Sequence, residues 1–512
     1  MKINTQKKPL AAACIVLTAY ALVAIRFVFH DGLASFASDS GNYLLMARYL
    51  SPWQEVPEAV SALWDQQYFP PLFPLLLGVS GLAYNFAGAH LFTLFFLFAS
   101  IPLLHRYWLQ LVPNPLAAFI LSLLFLTSPG TWLNIMGILS ENLYLLLSLA
   151  LLTSGSSRQK PGLATSVITG LLLGALLLTR SIGIAMVGAW MCHALMLHWQ
   201  GKISRLHLGL PLLIAGALHL LNQMWQPQPA TGFYLQQIDP GAVITQLLSF
   251  SDIWHTAWQF YWTDALVLPR ILVSLLGLMS LAGLILRLKA GALDGWYVLF
   301  YLLILLVWPY PGQGLRFLYP IQPLLLGHAW YALQSAGLRW WPARNMQAGI
   351  IFLLLMAAVT VPAQFFVLNR YQAGKVSGFE HQYEFYNQPQ LPDAIAAASI
   401  QQALFADMEQ IRQSTPPDAL VAWFEPVYIA LLADRQSRSI TGYIDTNSQT
   451  INGDLPDFIY LSRFHPRYTT SEYDGLVLQA IFEDSTEVRW MHRLPDNSTV
   501  SMLLEIRKGS NE

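Results

Sequence analysis

Charged residues are scarce in this chain. Lys, Arg, Asp and Glu make up only 11% of its 512 residues, whereas hydrophobic residues make up 55% and the mean hydropathy is +0.44. Soluble globular proteins carry about 25% charged residues. The composition therefore excludes an ordinary soluble protein and indicates a polytopic membrane protein.

Other scarcities exclude further classes. The two cysteines, Cys14 and Cys192, both lie in apolar runs, so no disulfide framework is available to a domain outside the membrane. No basic tract exceeds two residues, which argues against a nucleic acid partner. The histidines lack ligand spacing such as His-x-x-x-His, and no Ser-His-Asp arrangement can be argued. Neither a zinc site nor a catalytic triad is expected.

Long apolar runs dominate the first 368 residues. A spanning helix needs about 20 mostly apolar residues. Runs of that order cover 10–29, 88–104, 116–133, 138–154, 163–179, 182–199, 207–225, 268–286, 296–309, 318–336 and 347–368. The first run could instead be a signal peptide, but its length and Arg26 favour a span. We therefore predict a mainly α, polytopic transmembrane protein of about eleven spans.

Basic residues fall in alternate loops between these runs. They are Lys2, Lys7, Lys8, Arg106, Arg158, Lys160, Lys202, Arg205, Arg287, Lys289, Arg339 and Arg344, accompanied by one acid, Asp294. Lys and Arg are retained on the cytoplasmic side of a membrane, so the N-terminus is predicted to be cytoplasmic. An odd number of spans then places the C-terminus outside. For a bacterial inner membrane, this side is the periplasm.

Composition changes after Asn369, where polar residues become frequent. We predict a membrane domain over 1–368 and an extracytoplasmic α/β domain over 369–512. In the second domain, the pattern predicts a helix over 393–413 and strands over 419–424, 457–461 and 500–506. A turn signal over 494–498 predicts a hairpin between 488–493 and 499–506. This domain contains no recognisable catalytic motif.

Asp39 lies just beyond the first apolar run, on the predicted outer side, and Tyr43 follows it. A carboxylate at the outer surface can accept a proton from an acceptor hydroxyl, so Asp39 is our candidate general base. The alternative is a helix-capping Asp in a solvated loop. The stretch from Tyr68 to Gly78 is apolar but short and rich in proline, and we expect it to lie along the interface.

Glu141 stands at the outer start of an apolar run. An acid at that depth is costly unless it is paired, so it is a candidate for holding an arginine, orienting the acceptor or helping to bind a metal. The alternative is that Glu141 stabilises the positive end of its own helix.

Arg180 and Arg316 both break the rule that basic residues stay inside. The planar guanidinium suits phosphate, and Gly312 and Gly314 before Arg316 let the backbone approach an anion. The alternative is interfacial snorkelling, which we favour for other arginines such as Arg48 and Arg270. The aromatic stretch 254–262 could stack on sugars or form an interfacial belt.

The order of several short motifs resembles a known family. They are Asp39 to Tyr43, Tyr68-Phe69-Pro70-Pro71-Leu72, Ser140-Glu141-Asn142-Leu143, Leu178-Thr179-Arg180-Ser181, and Arg316-Phe317-Leu318-Tyr319-Pro320 with Pro323. Together they resemble the GT-C glycosyltransferases over residues 10–368. The branch is that of the bacterial relatives of dolichyl-phosphate-mannose protein mannosyltransferases and lipid A aminoarabinose transferases.

The resemblance implies an enzyme that transfers a hexose or pentose, with inversion, from a polyprenyl-phosphate donor to an extracytoplasmic lipid, glycan or protein acceptor. It implies Asp39 as the base and Arg316 at the donor phosphate, where we also expect Arg180 from its guanidinium and its place outside. Tyr43, Glu141 and Tyr68 are the residues we expect to position donor and acceptor.

No cofactor is expected, although a divalent metal on Asp39 and Glu141 stays open. Ser40 and Phe69 replace acids found in the two subgroups, which leaves sugar and acceptor open. The rival functions are a transporter or flippase of lipid-linked sugars and a non-catalytic subunit of envelope assembly.

Overall fold

The computed structural model is mainly helical. It describes residues 7–28, 38–111, 114–135, 137–154, 162–226, 240–258, 267–308, 314–340, 347, 349–358, 360, 391–440, 444–445, 450–451, 456–462, 486–493, 497 and 499–507. The helices before residue 360 are α1 Lys7–Val28, α2 Ser38–Tyr49, α3 Glu58–Ser61, α4 Leu72–Val79, α5 Phe86–Leu111, α6 Pro115–Leu126, α7 Pro129–Ile135, α8 Glu141–Ser154, α9 Leu163–Thr179, α10 Ile184–Trp199, α11 Arg205–Trp225, α12 Val243–Trp258, α13 Val267–Lys289, α14 Leu293–Leu306, α15 Gly314–Leu318, α16 Gln322–Trp340 and α17 Gly349–Ala358. Those after it are α18 Leu391–Ser414 and α19 Pro426–Tyr428.

Several helices are suited to a bilayer. Among the described residues, those long and apolar enough to cross a membrane are Phe86–Leu111, Ser181–Trp199, Arg205–Trp225 and Val267–Lys289. Shorter apolar helices lie in the predicted runs 10–29, 116–133, 138–154, 163–179, 296–309 and 347–368, and the run 318–336 is largely covered by α16. The predicted transmembrane helical fold is confirmed, while the number of spans and their orientation stay predictions.

Glycines allow neighbouring helices to approach closely. A Cβ atom at Gly170 of α9 would lie 2.8 Å from the Ile214 Cβ of α11, and one at Gly283 of α13 would overlap the His328 carbonyl of α16. Small residues serve this purpose in membrane helices, where close van der Waals packing replaces the hydrophobic effect between helices. The α9–α11 and α13–α16 pairs are therefore fixed by backbone proximity.

Asp294, the acid among the predicted inner loops, is buried at the start of α14. Its carboxylate contacts Arg287 Nη2 at 2.7 Å, accepts from the Tyr107 hydroxyl at 2.8 Å and lies 3.0 Å from His328 Nε2. A buried carboxylate is tolerated when it is paired in this way. This cluster ties α5, α13, α14 and α16 together at the end remote from the predicted outer loops.

The segment between α1 and α5, which contains α2 to α4, corresponds to the first long outer loop predicted from the sequence. Helix α4 has eight residues and is therefore about 12 Å long, too short to cross a bilayer. It packs against α2, where a Cβ at Gly78 would come within 2.6 Å of the Ala47 carbonyl oxygen.

The C-terminal part is an α/β layer, as predicted. Its strands are β1 Leu420–Trp423, β2 Gln436–Ser439, β3 Ile444–Asp445, β4 Thr450–Ile451, β5 Phe458–Ser462, β6 Thr486–Arg493 and β7 Thr499–Ile506. Five of them form a sheet in the order β2-β1-β5-β7-β6, in which β1 is parallel to β2 and β5, and β7 is antiparallel to β5 and β6. The predicted helix and hairpin are present, whereas residues 494–496 and 498 of the turn lie outside the described residues.

The two faces of this sheet pack differently. Ala422, Ile459 and Leu504 belong to a small cluster on one face. The alternate residues Val421, Tyr460 and Leu503 belong to a larger core that also contains Tyr43, Leu44 and Leu45 of α2. Side chains alternate between the faces of a strand, so one face of the sheet is joined to the helix that carries Asp39.

Candidate active site

Helix α2 holds Asp39 in its first turn. The Ser40 hydroxyl accepts a hydrogen bond from the Ile138 N–H at 3.0 Å, and the Tyr43 hydroxyl lies 2.8 Å from Ser140 Oγ. Asp39 is the second residue of α2, where a carboxylate interacts favourably with the positive end of the helix dipole. In addition, the two hydrogen bonds fix α2 against the segment that leads into Glu141.

Glu141 is the first residue of α8 and is fully buried. Since α8 and α9 are consecutive and antiparallel neighbours, the start of α8 lies beside the end of α9, where Arg180 follows. Arg180 Nη1 lies 2.7 Å from Glu141 Oε1 and donates to Ser140 Oγ at 3.2 Å. Glu141 thus holds an arginine, which was one of the interpretations drawn from its depth.

Arg316 joins the two acids. Its Nη1 lies 2.6 Å from Asp39 Oδ2, and its Nε donates to Glu141 Oε1. It is carried by the short helix α15, where the Tyr301 hydroxyl donates to the Phe317 carbonyl at 2.7 Å. The Phe317 ring lies 5.6 Å from the Arg180 guanidinium, so the two arginines share a neighbour. Residues 311–313 before this helix lie outside the described residues.

The four charges form an alternating chain from Asp39 through Arg316 and Glu141 to Arg180. The exposed fractions of their side chains are 20%, 13%, 0% and 11% in that order, so the cluster is buried but opens at Asp39. Two acids and two arginines leave it without net charge. Two buried atoms, Arg316 Nη2 and Glu141 Oε2, have no hydrogen-bond partner among the described residues. Such groups are costly unless something else satisfies them, so a water or a polar ligand is expected to contact them.

Tyr43 lies beside this chain of charges, and Tyr68 belongs to the group of aromatic rings packed next to Tyr43. Tyr43 packs against the rings of Phe69 and Phe73 at 5.3 and 5.2 Å, and burial raises the pKa of Tyr43 to about 12. Its hydroxyl therefore stays protonated near neutral pH. Tyr68 stacks on Phe69 at 4.6 Å, and the same Phe69 ring packs against Tyr43.

Polar neighbours of Glu141 complete the arrangement, and although the motifs include these residues, the sequence analysis gave them no role. The Tyr319 hydroxyl donates to Asn142 Oδ1 at 2.6 Å, and Asn142 Nδ2 donates to the Thr93 carbonyl at 3.4 Å. Ser140 Oγ is hydrogen-bonded to the Tyr43 hydroxyl and accepts a hydrogen bond from Arg180 Nη1. A run of polar residues at the start of an apolar helix was the available signal, because each must find a partner there.

Two interpretations from the sequence are corrected. Arg48 does not extend towards an interface: its Nη1 donates to the Leu431 carbonyl at 2.9 Å and its guanidinium lies 4.9 Å from the Tyr84 ring. In the aromatic stretch, Trp258 is fully buried, and the partly buried Trp254 packs against the same core and donates to the Val273 carbonyl. The rest of that stretch, 259–262, lies outside the described residues.

The carboxylates considered as metal ligands are engaged by arginine. Asp39 and Glu141 both contact the Arg316 guanidinium. Over the described part of the chain, no group of three or more His, Cys, Asp or Glu side chains is placed to hold a metal ion.

Comparison with known proteins identifies solved structures with a similar fold. No protein-family model and no curated protein sequence matches the chain. ArnT from Cupriavidus metallidurans, solved in the apo state, is similar in structure with a TM-score of 0.55 and 14% identity, over 97% of this chain and 98% of that one. ArnT bound to undecaprenyl phosphate gives a TM-score of 0.55 and 14% identity over 95% and 97%. The archaeal oligosaccharyltransferase AglB from Archaeoglobus fulgidus, in complex with an inhibitory peptide and a dolichol-phosphate, gives 0.51 and 12% identity over 96% and 74%.

The chain therefore shares its fold with ArnT and AglB, which are both GT-C proteins, and the resemblance stated from the motifs is confirmed for the fold. ArnT is a lipid A aminoarabinose transferase and AglB an oligosaccharyltransferase.

Proposed function

We propose that this chain is an integral-membrane glycosyltransferase that moves a hexose or pentose from a polyprenyl-phosphate donor to an extracytoplasmic lipid, glycan or protein acceptor. The observation that carries the proposal is the joining of Asp39 to Glu141 by one guanidinium, that of Arg316. The fold shared with two lipid-dependent glycosyltransferases supports it.

The donor phosphate is assigned to the arginine side of the cluster. Arg316 Nη2 is a buried donor without a partner among the described residues, and Arg180 is the second guanidinium nearby. Guanidinium groups bind phosphate oxygens well and remain charged at all working pH values. Glu141 pairs with both arginines and so keeps two like charges close together before the lipid arrives.

Asp39 is assigned as the general base. The acceptor hydroxyl would lose its proton to Asp39 while its oxygen bonds to the anomeric carbon from the face opposite the phosphate. The bond between that carbon and the phosphate oxygen breaks, and the configuration inverts. Asp39 is the more exposed of the two acids in the cluster, at 20% against 0% for Glu141, which suits contact with an incoming acceptor.

The charges balance during this step. The donor phosphate begins as a diester with one negative charge and leaves as a monoester that gains a second. The cluster begins with no net charge and gains one positive charge when Asp39 takes the proton. Positive charge thus develops beside the leaving group as its negative charge grows, and preorganised donors in a buried site stabilise such charge effectively.

The first experiment is mass spectrometry of envelope glycolipids and glycoproteins from cells with and without this protein. A missing sugar identifies the donor glycolipid and the acceptor. Purified protein in nanodiscs is then tested with that donor, and undecaprenyl phosphate serves as the binding probe.

Asp39→Asn distinguishes the proposal from its rivals. A transferase should lose at least about 10²-fold in turnover, since general base catalysis contributes 10²–10⁴-fold, while the variant still binds undecaprenyl phosphate. A flippase or an assembly subunit has no proton to remove and should be indifferent to the change. Full turnover in the Asp39→Asn variant would rule out the assigned base.

A further inference from the structure

Helix α2 is held from two sides. Ser40 and Tyr43 contact the segment before α8, as described above. Gly41 and Arg48 are seven residues apart and so lie on a common face of the helix. That face is turned to the C-terminal α/β domain, which is almost four hundred residues away in sequence.

Gly41 lies against α19 of that domain. A Cβ atom at Gly41 would lie 3.1 Å from Tyr428 Cζ, 3.2 Å from Tyr428 Cε1 and 3.2 Å from Val427 Cγ1. These distances are tighter than ordinary van der Waals contact, so the backbone of α2 approaches the Tyr428 ring as closely as glycine permits. The contact lies two residues from Asp39.

Arg48 fixes the other end of the same face. Its Nη1 donates to the Leu431 carbonyl at 2.9 Å and its Nε to the Ala83 carbonyl at 3.4 Å. Leu431 belongs to the turn Ile429–Ala433 that continues directly from α19. A charge-assisted hydrogen bond to a backbone carbonyl holds both position and direction, so α2 cannot rotate or slide without breaking it.

The contacting segment has a defined origin in the domain. It follows the carboxyl end of β1, whose neighbours β2 and β5 are parallel to it. Tyr428 and Val427 are buried and belong to the same core as Tyr43 and Leu44 of α2. The domain and the helix that bears Asp39 therefore share one core rather than a loose polar interface.

We propose that residues 427–431 of the C-terminal domain form a positioning seat for α2, which sets the place of Asp39 relative to Arg316. Tyr428 is a positioning residue in this account, and it touches neither donor nor acceptor. The inference rests on the proposed function for its effect on turnover, but the seat itself can be tested without any substrate.

The test uses the full-length protein in nanodiscs. Gly41→Ala places a methyl group against Tyr428 and should displace α2, whereas Tyr428→Ala removes the seat. Both should raise hydrogen–deuterium exchange in residues 38–49 and lower turnover, by up to about 10²-fold for a displacement near 1 Å. Binding of undecaprenyl phosphate should change little, because Arg316 stays paired with Glu141.

A second-site change makes the test specific. Tyr428→Leu removes the two ring atoms nearest the added methyl group and leaves the Val427 contact, so the Gly41→Ala/Tyr428→Leu variant should recover part of the turnover lost in Gly41→Ala alone. Such non-additivity is expected for residues in contact and not for independent damage. Tyr428→Phe keeps the ring and should behave like the unaltered protein in the exchange of 38–49.

Two matched controls separate positioning from general damage. Gly209→Ala in α11 adds a methyl group where no atom lies within 4 Å, and it should change neither readout. Leu461→Ala weakens the domain from the opposite face of its sheet and should leave the exchange of 38–49 unaltered.

The outcomes are distinct. If Gly41→Ala and Tyr428→Ala leave both exchange and turnover unchanged, the seat is refuted. If Leu461→Ala reproduces the effects of Tyr428→Ala, the domain contributes stability alone and the inference is also refuted. If exchange responds as expected while the unaltered protein never turns over a donor, the seat holds and the proposed function fails.

Discussion

Arg316→Lys is the most informative single change in the candidate site. Arginine uses three nitrogens here: Nη1 contacts Asp39, Nε contacts Glu141, and Nη2 is buried without a partner among the described residues. Lysine keeps the positive charge but presents it as one compact ammonium group, which cannot reach three separate directions. The change therefore tests geometry at constant charge.

The expected magnitude follows from the hydrogen bond that Nη2 would make to the donor phosphate. A hydrogen bond to a charged group contributes about 1.5–3 kcal/mol. At about 1.4 kcal/mol per tenfold change, the dissociation constant for undecaprenyl phosphate should rise roughly 10- to 150-fold. Stability should fall less than in a variant that removes the charge, because one ammonium can still pair with Glu141.

The assay is titration of purified protein in nanodiscs with undecaprenyl phosphate, followed by native mass spectrometry. Arg270→Lys is the matched control, since Arg270 is exposed at the start of α13 and has no place in the cluster. Equal affinity of the Arg316→Lys variant and the unaltered protein, with the thermal transition unchanged, would refute the assignment of the phosphate to this arginine.

Two further changes address the supports of the cluster. Glu141→Gln leaves two buried guanidinium groups without their shared anion and should cost about 3–5 kcal/mol of stability, seen as a lowered thermal transition in detergent, whereas Glu55→Gln at an exposed position should have little effect. An unshifted transition for Glu141→Gln would mean that the pairing is weak. Tyr43→Phe removes the contact with Ser140 and should cost about 1 kcal/mol. Because burial raises the Tyr43 pKa to about 12, the pH profile of turnover should be the same in both proteins below about pH 11, and a lost alkaline limb in the variant would contradict this.

Part of this site could be predicted from the sequence, because it depends on features of a few neighbouring residues. Glu141 and Arg180 are ionisable residues at the ends of apolar runs, where an unpaired charge is costly, so a partner was expected for each. Alternating topology then places those ends on one side of the membrane. The fold class follows from the same runs, and the C-terminal strands from their short apolar stretches.

The remainder depends on contacts that leave no local trace. Arg48 was interpreted as an interfacial residue, yet its partner is the carbonyl of Leu431, a group that every residue possesses. The identity of the side chain at position 431 therefore gives no indication of this contact. Gly41 likewise reveals its role only when the Tyr428 ring is seen beside it. Sequence patterns identify which residues need partners, whereas the partners themselves depend on the packing of segments far apart in the chain.

The two acids of the cluster differ in a way that assigns their roles. Glu141 is fully buried and pairs with both arginines, so protonating it would leave two like charges facing each other in a buried place. Asp39 has one arginine partner and is the acid through which the cluster meets the outside. Taking up a proton at Asp39 leaves Arg316 still paired with Glu141, and the positive charge set free lies where the donor phosphate is proposed to bind. The arrangement therefore suits a fixed anion at Glu141 and the proposed proton acceptor at Asp39.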